Sequence, residues 1–200
     1  MFIIGITGGT GAGKTTVMQA LQSFGAMPLD CDEIYHELLL KSVEMRAEIE
    51  ARFENVLKNG AIDRQKLGEI VWNDPASLHD LSAITHNYVG SEIERRIDSF
   101  KAQGGYLVAI DAIALLESGQ SEKCDIVISV IAPKEKRLSR IKSRDGLSQE
   151  QALMRINAQQ QDSFYRENSD YILENIYDTQ AEFEESCKVF FKKMFKERTK

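Results

Sequence analysis

The chain has 200 residues, 42% hydrophobic and 28% charged, with a net charge of −6. That is the length of one compact domain with room for an inserted subdomain, and enough apolar material for a packed core. The acidic balance excludes a sequence-independent grip on nucleic acid, which takes a basic face to neutralise phosphates.

Phe2-Ile3-Ile4-Gly5-Ile6-Thr7 opens the chain as an apolar run with no polar face, the pattern of a central strand covered on both sides. Gly5 and the glycine-rich stretch behind it break the run far short of a signal-peptide core or a membrane span. A cytoplasmic protein with no membrane partner is expected. Gly8-Gly9-Thr10-Gly11-Ala12-Gly13-Lys14-Thr15 follows directly and meets the phosphate-loop pattern G-x-x-x-x-G-K-[ST] in full. Such a loop turns successive N–H groups inward at the N-terminus of the next helix, which makes a nest for a phosphate. Lys14 adds a mobile positive charge, and the Thr15 hydroxyl is placed to join a magnesium shell. The predicted ATP contacts are Gly9, Thr10, Gly11, Ala12, Gly13, Lys14, Thr15 and Thr16.

A second strand is predicted over Ala26 to Asp30, with Asp32 two residues beyond its end. If extended geometry persists, the two carboxylates point the same way and share a site. Asp32 is then the candidate base for an acceptor hydroxyl, and Asp30 the candidate magnesium or positioning group. The competing reading makes both carboxylates caps of a helix from Cys31 to Leu40. Between Ile34 and Lys101 no strand stands out, whereas Leu78, Leu81, Ile84, Val89, Ile93 and Ile97 recur at roughly helical spacing. A helical insertion over about 35–101 is expected beside the substrate crevice, where it would bind the acceptor.

Tyr106 to Asp111 reads as a third strand closed by a carboxylate, the form that phosphate-loop proteins use to hold magnesium through water, and equally a common strand ending. Glu117 is a weaker candidate of the same kind. A fourth strand is expected over Asp125 to Ile131. Pro133 to Arg166 then reads as helix, turn and helix, with Asp145-Gly146 as the turn. Arg137, Arg140 and Arg144 form a basic stripe on one helix face, so the region of about 137–160 is expected to be a lid whose Arg140 and Arg144 neutralise charge on a transferred phosphoryl group. The alternative is a solvated basic face. Tyr171 to Leu173 is the fifth strand, and Thr179 to Glu197 a helix with Phe183, Val189, Phe190, Met194 and Phe195 toward the sheet. Cys31, Cys124 and Cys187 form no C-x-x-C pair, so a disulfide framework and a zinc site are not indicated and all three read as reduced thiols. The order of elements predicts an α/β fold: a five-stranded parallel sheet with a P-loop kinase core, about 1–34 and 102–200, a helical acceptor-binding insertion and a helical lid.

Together these residues resemble the dephospho-CoA kinase family. The likeness runs through Gly5 to Val17; through Leu29-Asp30-Cys31-Asp32-Glu33-Ile34, where the family reads I-D-A-D-x-I; and through Ile62 to Pro75, similar to D-R-x-x-L-x-x-x-V-F-x-D-P. Arg140 to Gln159 and Asp170 to Asn175 also match. The resemblance implies phosphorylation of the ribose 3′-hydroxyl of dephospho-CoA by ATP, with Asp32 as base, Lys14 and Thr15 at the ATP–magnesium site and Arg140 and Arg144 in the lid. Asn175 then falls near the adenine. On the acceptor side, His86 matches the histidine of an H-P pair whose proline is Asn87 here, and Asp111 and Ile113 stand in the D-I-P-L-L-F-E segment with Ile113 in place of proline. A monomer is expected. The alternatives are a nucleoside or nucleotide kinase, which leaves the match over 62 to 75 without an account; a P-loop ATPase or GTPase switch, for which no N-K-x-D guanine signature is present; and a kinase-derived binding scaffold.

Overall fold

A computed structural model describes residues 1–58, 60–72 and 74–198; Asn73, within the matching segment of 62 to 75, lies outside the described residues. In chain order the elements begin with strand β1 (Phe2–Thr7), helix α1 (Lys14–Gln22), strand β2 (Met27–Asp30) and helices α2 (Cys31–Lys41) and α3 (Val43–Arg52). Strands β3 (Leu57–Lys58) and β4 (Ala61–Ile62), helices α4 (Arg64–Trp72) and α5 (Pro75–Ala102), and strands β5 (Leu107–Asp111) and β6 (Ile126–Ile131) follow. Helices α6 (Lys134–Asp145), α7 (Gln149–Asn157) and α8 (Asp162–Glu167), strand β7 (Tyr171–Glu174) and helix α9 (Gln180–Arg198) complete the chain. Two compact units result, Met1–Leu29 with Gly104–Lys200, and Asp30–Gln103.

The first unit is built on the expected five-stranded sheet, ordered β2-β5-β1-β6-β7. Parallel register sets Ile6 beside Asp111, Thr7 beside Ser129 and Ile131 beside Glu174. Ile4 and Ile6 of β1 are both 0% exposed, which is why that strand carries no polar alternation. Val17, Ala20 and Leu21 of α1 and Phe183, Cys187 and Phe191 of α9 join the same apolar core. Each of the two phenylalanines contributes about 1.5–3 kcal/mol by leaving water. Val189, expected to face the sheet, is instead 62% exposed. It lies six residues after Phe183, about one and two-thirds turns, and so falls on the opposite side of the helix from Cys187 and Phe191.

Helices α6 and α7 pair through Ile141, Ala152 and Ile156, with Leu138 and Leu147 packed alongside. A reciprocal capping box starts α7, the Ser148 hydroxyl accepting from Gln151 N–H and the Gln151 side chain accepting from Ser148 N–H. Three helices thus stand where two were expected. The break between α7 and α8 falls in Gln159-Gln160-Gln161, which has no glycine or proline to announce it.

In the Asp30–Gln103 unit, helices α2, α3 and α4 pack on the 28-residue α5. Asp74 caps α5 by accepting from Ala76 N–H and Ser77 N–H, both at 3.2 Å, with Pro75 in the first turn. Met45, Ile49, Phe53 and Val56 are at most 2% exposed and form the core with Leu67 and Ile62. Leu78, part of the apolar series read along α5, is 51% exposed. An antiparallel hairpin, with Leu57 opposite Ile62, corrects the expectation of a purely helical insertion. Among the described residues no helix is long and apolar enough to cross a membrane.

Candidate active site

The phosphate loop begins where β1 ends. The Thr7 hydroxyl donates to Ile113 O at 3.0 Å, fixing the end of β1 to the segment after β5. The chain then turns at Gly8, whose φ of +132° strains any other residue, and a Cβ there would collide with Val130 O. Gly13, at φ +115°, delivers the chain into α1 without a side-chain cap, so the helix N-terminus stays open toward an anion.

What holds the loop in shape is a set of donors behind it. Arg137 Nε donates to Thr10 O at 3.0 Å, and Arg140 Nη1 to Gly11 O and Ala12 O at 3.1 and 3.3 Å. Asn175 Nδ2 donates to Ala12 O at 2.8 Å, and its Oδ1 accepts from Arg140 Nη2 at 3.2 Å. In a trans peptide each C=O points opposite to the next N–H. Drawing the carbonyls of residues 10 and 12 outward therefore aims Gly11 N–H and Gly13 N–H to the concave side. Ala12 N–H closes the turn on Gly9 O at 3.1 Å. The result is a nest of N–H dipoles at a helix N-terminus.

Lys14 Nζ donates to Gly8 O at 3.1 Å, so its charge lies along the loop. Thr15 is exposed on the first turn of α1, while Thr16 is buried at 6% exposure. Asp111 ends β5, half-buried, in register with Ile6 just before the loop. Ile113 is half-buried and engaged through its carbonyl. The hydroxyl of Thr15 and the carboxylate of Asp111 are hard oxygen donors of the kind magnesium takes when phosphates and water complete its shell. No group of three or more His, Cys, Asp or Glu able to cage a metal occurs among the described residues.

The three arginines of the expected lid stripe divide into two roles. Burial pulls the guanidinium groups of Arg137 and Arg140 below the usual arginine value, yet arginine remains charged. Arg140 is held by carbonyl and amide oxygens, so its charge adds to the field over the loop. Arg144 faces outward, its side chain 61% exposed, and forms a two-point pair with Asp145 at 2.6 and 3.0 Å. Asp145 also takes Arg155 at 2.6 Å. Asn175, expected near the adenine, is 3% exposed and spends its amide on the loop and on Arg140.

The carboxylates after β2 correct the extended reading. The strand stops at Asp30 and α2 starts at Cys31, so Asp32 lies exposed in the first helical turn. Asp30 Oδ1 accepts from Asp32 N–H at 2.9 Å and from Glu33 N–H at 3.1 Å, an N-cap. His86 and Asn87 are exposed on α5, which continues through both.

Reading the sequence missed Gln159. Its Oε1 accepts from Thr10 N–H at 2.9 Å and from Arg137 Nη2 at 2.7 Å, and its Nε2 donates to Thr10 Oγ1 at 2.6 Å. A glutamine among glutamines carries no spacing signal that would have revealed this.

The family model described as dephospho-CoA kinase matches residues 2–181. A dephospho-CoA kinase of Dehalococcoides mccartyi is 39% identical over 165 residues, covering 82% of this chain and 83% of that one. Another, of Latilactobacillus sakei, is 35% identical over 175 residues, covering 87% of each. The solved dephospho-CoA kinase of Campylobacter jejuni superposes with a TM-score of 0.70 at 27% identity over 98% of both chains. With a phosphate loop, a five-stranded parallel sheet and relatives matching along nearly its whole length, this chain belongs to the dephospho-CoA kinase family.

Proposed function

We propose that the chain transfers the γ-phosphoryl group of ATP to the ribose 3′-hydroxyl of dephospho-CoA, yielding coenzyme A and ADP. The observation that carries the donor half is the braced loop, with the carbonyls of Thr10, Gly11 and Ala12 held outward by Arg137, Arg140 and Asn175. Family membership carries the acceptor half.

Phosphoryl transfer asks little covalent work of the protein, so positioning and charge stabilisation dominate. Gly11 N–H and Gly13 N–H bind phosphate oxygens, and Lys14 shifts from Gly8 O to the transferring phosphate. Bound magnesium would supply charge neutralisation between phosphates. Thr15 would hold it directly and Asp111 through water. Asp30 is less suited, because one of its oxygens already caps α2. Asp32 accepts the 3′-hydroxyl proton, and Arg144, once released from Asp145, meets the charge developing on the phosphoryl group.

Turnover of ATP with dephospho-CoA by wild type and Asp32→Asn tests the assignment of the base. The variant should keep its affinity for Mg-ADP and lose about 10²–10⁴-fold in kcat. Equal turnover by the two proteins removes Asp32 from the chemistry.

A further inference from the structure

We infer that Gln159 is a positioning residue of the nucleotide site: with Arg137 it locks Thr10 on both sides, so the base of the α6–α7 hairpin holds the glycine loop in phosphate-binding shape. The inference rests on the donor-site reading above. Thr10 is gripped at three points. Its N–H and hydroxyl both meet the Gln159 amide, and its carbonyl meets Arg137 Nε. Arg137 Nη2 closes the ring by donating to Gln159 Oε1, and Thr10 is 8% exposed and Arg137 6%.

The donors come from both arms of the hairpin. Arg137 and Arg140 stand on α6, while Gln159 follows the last turn of α7, its N–H bonded to Ile156 O at 3.3 Å. Ile156 belongs to the small apolar core that joins the two helices. The base of the hairpin and the loop are therefore one hydrogen-bonded body, whereas the tip at Arg144 to Ser148 makes none of these contacts with the loop. The loss of Gln159 would leave Thr10 N–H and Arg137 Nη2 short of an acceptor and would loosen Arg137, whose Nε holds the Thr10 carbonyl. Rotation of the Thr10–Gly11 peptide then carries Gly11 N–H out of the nest, because Thr10 C=O and Gly11 N–H belong to the same plane.

The test is Mg-ADP binding by calorimetry, with steady-state kinetics, on Gln159→Leu and Gln159→Glu. Glutamate keeps both acceptor roles, and its second oxygen accepts a hydrogen bond from the Thr10 hydroxyl in place of the native donation to it, so it should restore the network. Gln159→Leu should bind Mg-ADP about tenfold to a hundredfold more weakly, the factor expected when buried polar groups lose a partner. Its KM for ATP should rise by a similar factor while its KM for dephospho-CoA stays at the wild-type value. Gln159→Glu should stay within about threefold of wild type in Mg-ADP affinity. Wild-type affinity in folded Gln159→Leu overturns the inference, as does an equal loss in both variants or a parallel rise in both KM values. If Gln159→Leu cannot be purified folded, Thr10→Val decides: weakened Mg-ADP binding supports the lock and unchanged binding overturns it. Failure of the wild-type protein itself to bind Mg-ADP would overturn the donor-site reading and the inference together.

Discussion

Asn175→Ala separates a clamp on the loop from a contact with the adenine. The native amide gives a 2.8 Å bond to Ala12 O and accepts from Arg140 at 3.2 Å, in a residue 3% exposed. After truncation Ala12 O keeps only the 3.3 Å bond from Arg140 Nη1, and Arg140 Nη2 keeps only a 3.4 Å contact with Tyr177 O. Depriving such buried groups costs about 1–3 kcal/mol. For a chain of this length that lowers the melting temperature by about 2–4 °C per kcal/mol, hence by about 2–12 °C. The assay is thermal unfolding of the nucleotide-free protein, followed by Mg-ADP titration. A clamp predicts that the unliganded protein is already destabilised and that affinity falls with it. An unliganded midpoint within about 1 °C of wild type, together with a large loss of ADP affinity, would refute the clamp and return Asn175 to the adenine.

Gly8→Ala should abolish Mg-ADP binding and lower the melting temperature, because its φ of +132° and the contact of a Cβ with Val130 O leave no room to relax; a variant that binds Mg-ADP normally would contradict this. Arg144→Met should lower kcat about 10–10³-fold with little change in Mg-ADP affinity, since this arginine takes no part in gripping the loop; reduced Mg-ADP affinity would contradict its separation from Arg137 and Arg140. Glu92 makes a prediction about pH. Hydrogen bonds from Arg95 lower its pKa from the usual 4.5 to about 2, so its stabilising pairing is complete above 4.5 and lost as pH falls toward 2. Glu92→Gln should flatten the fall in melting temperature across that window, and an unchanged slope would show that the pairing contributes nothing.

How far the sequence was legible follows from where each determinant lies. The phosphate loop was readable because its requirements are local: a strand, a glycine-rich turn and a lysine at the helix start. The strands β1 and β6 were readable because covered strands are apolar throughout. The β3–β4 hairpin was not, since two-residue strands have no period. At Asp30-Cys31-Asp32 the residues allowed both an extended run and a cap, and the capping bonds to Asp32 and Glu33 decided for the helix. Arg137 and Asn175 show the deeper limit. Arg137 was legible only as part of a basic stripe, and Asn175 was placed near the adenine only by the family resemblance. That both face the loop's carbonyls depends on residues well over a hundred positions earlier in the chain, which no local pattern encodes.

The central claim is tested most directly by incubating the purified protein with γ-labelled ATP, magnesium and either dephospho-CoA or a panel of nucleosides and small alcohols. Label should appear at the 3′-position of dephospho-CoA, in step with ADP release, and on none of the other acceptors. Label on another acceptor with none on dephospho-CoA, or phosphate release that ignores every acceptor, would contradict it.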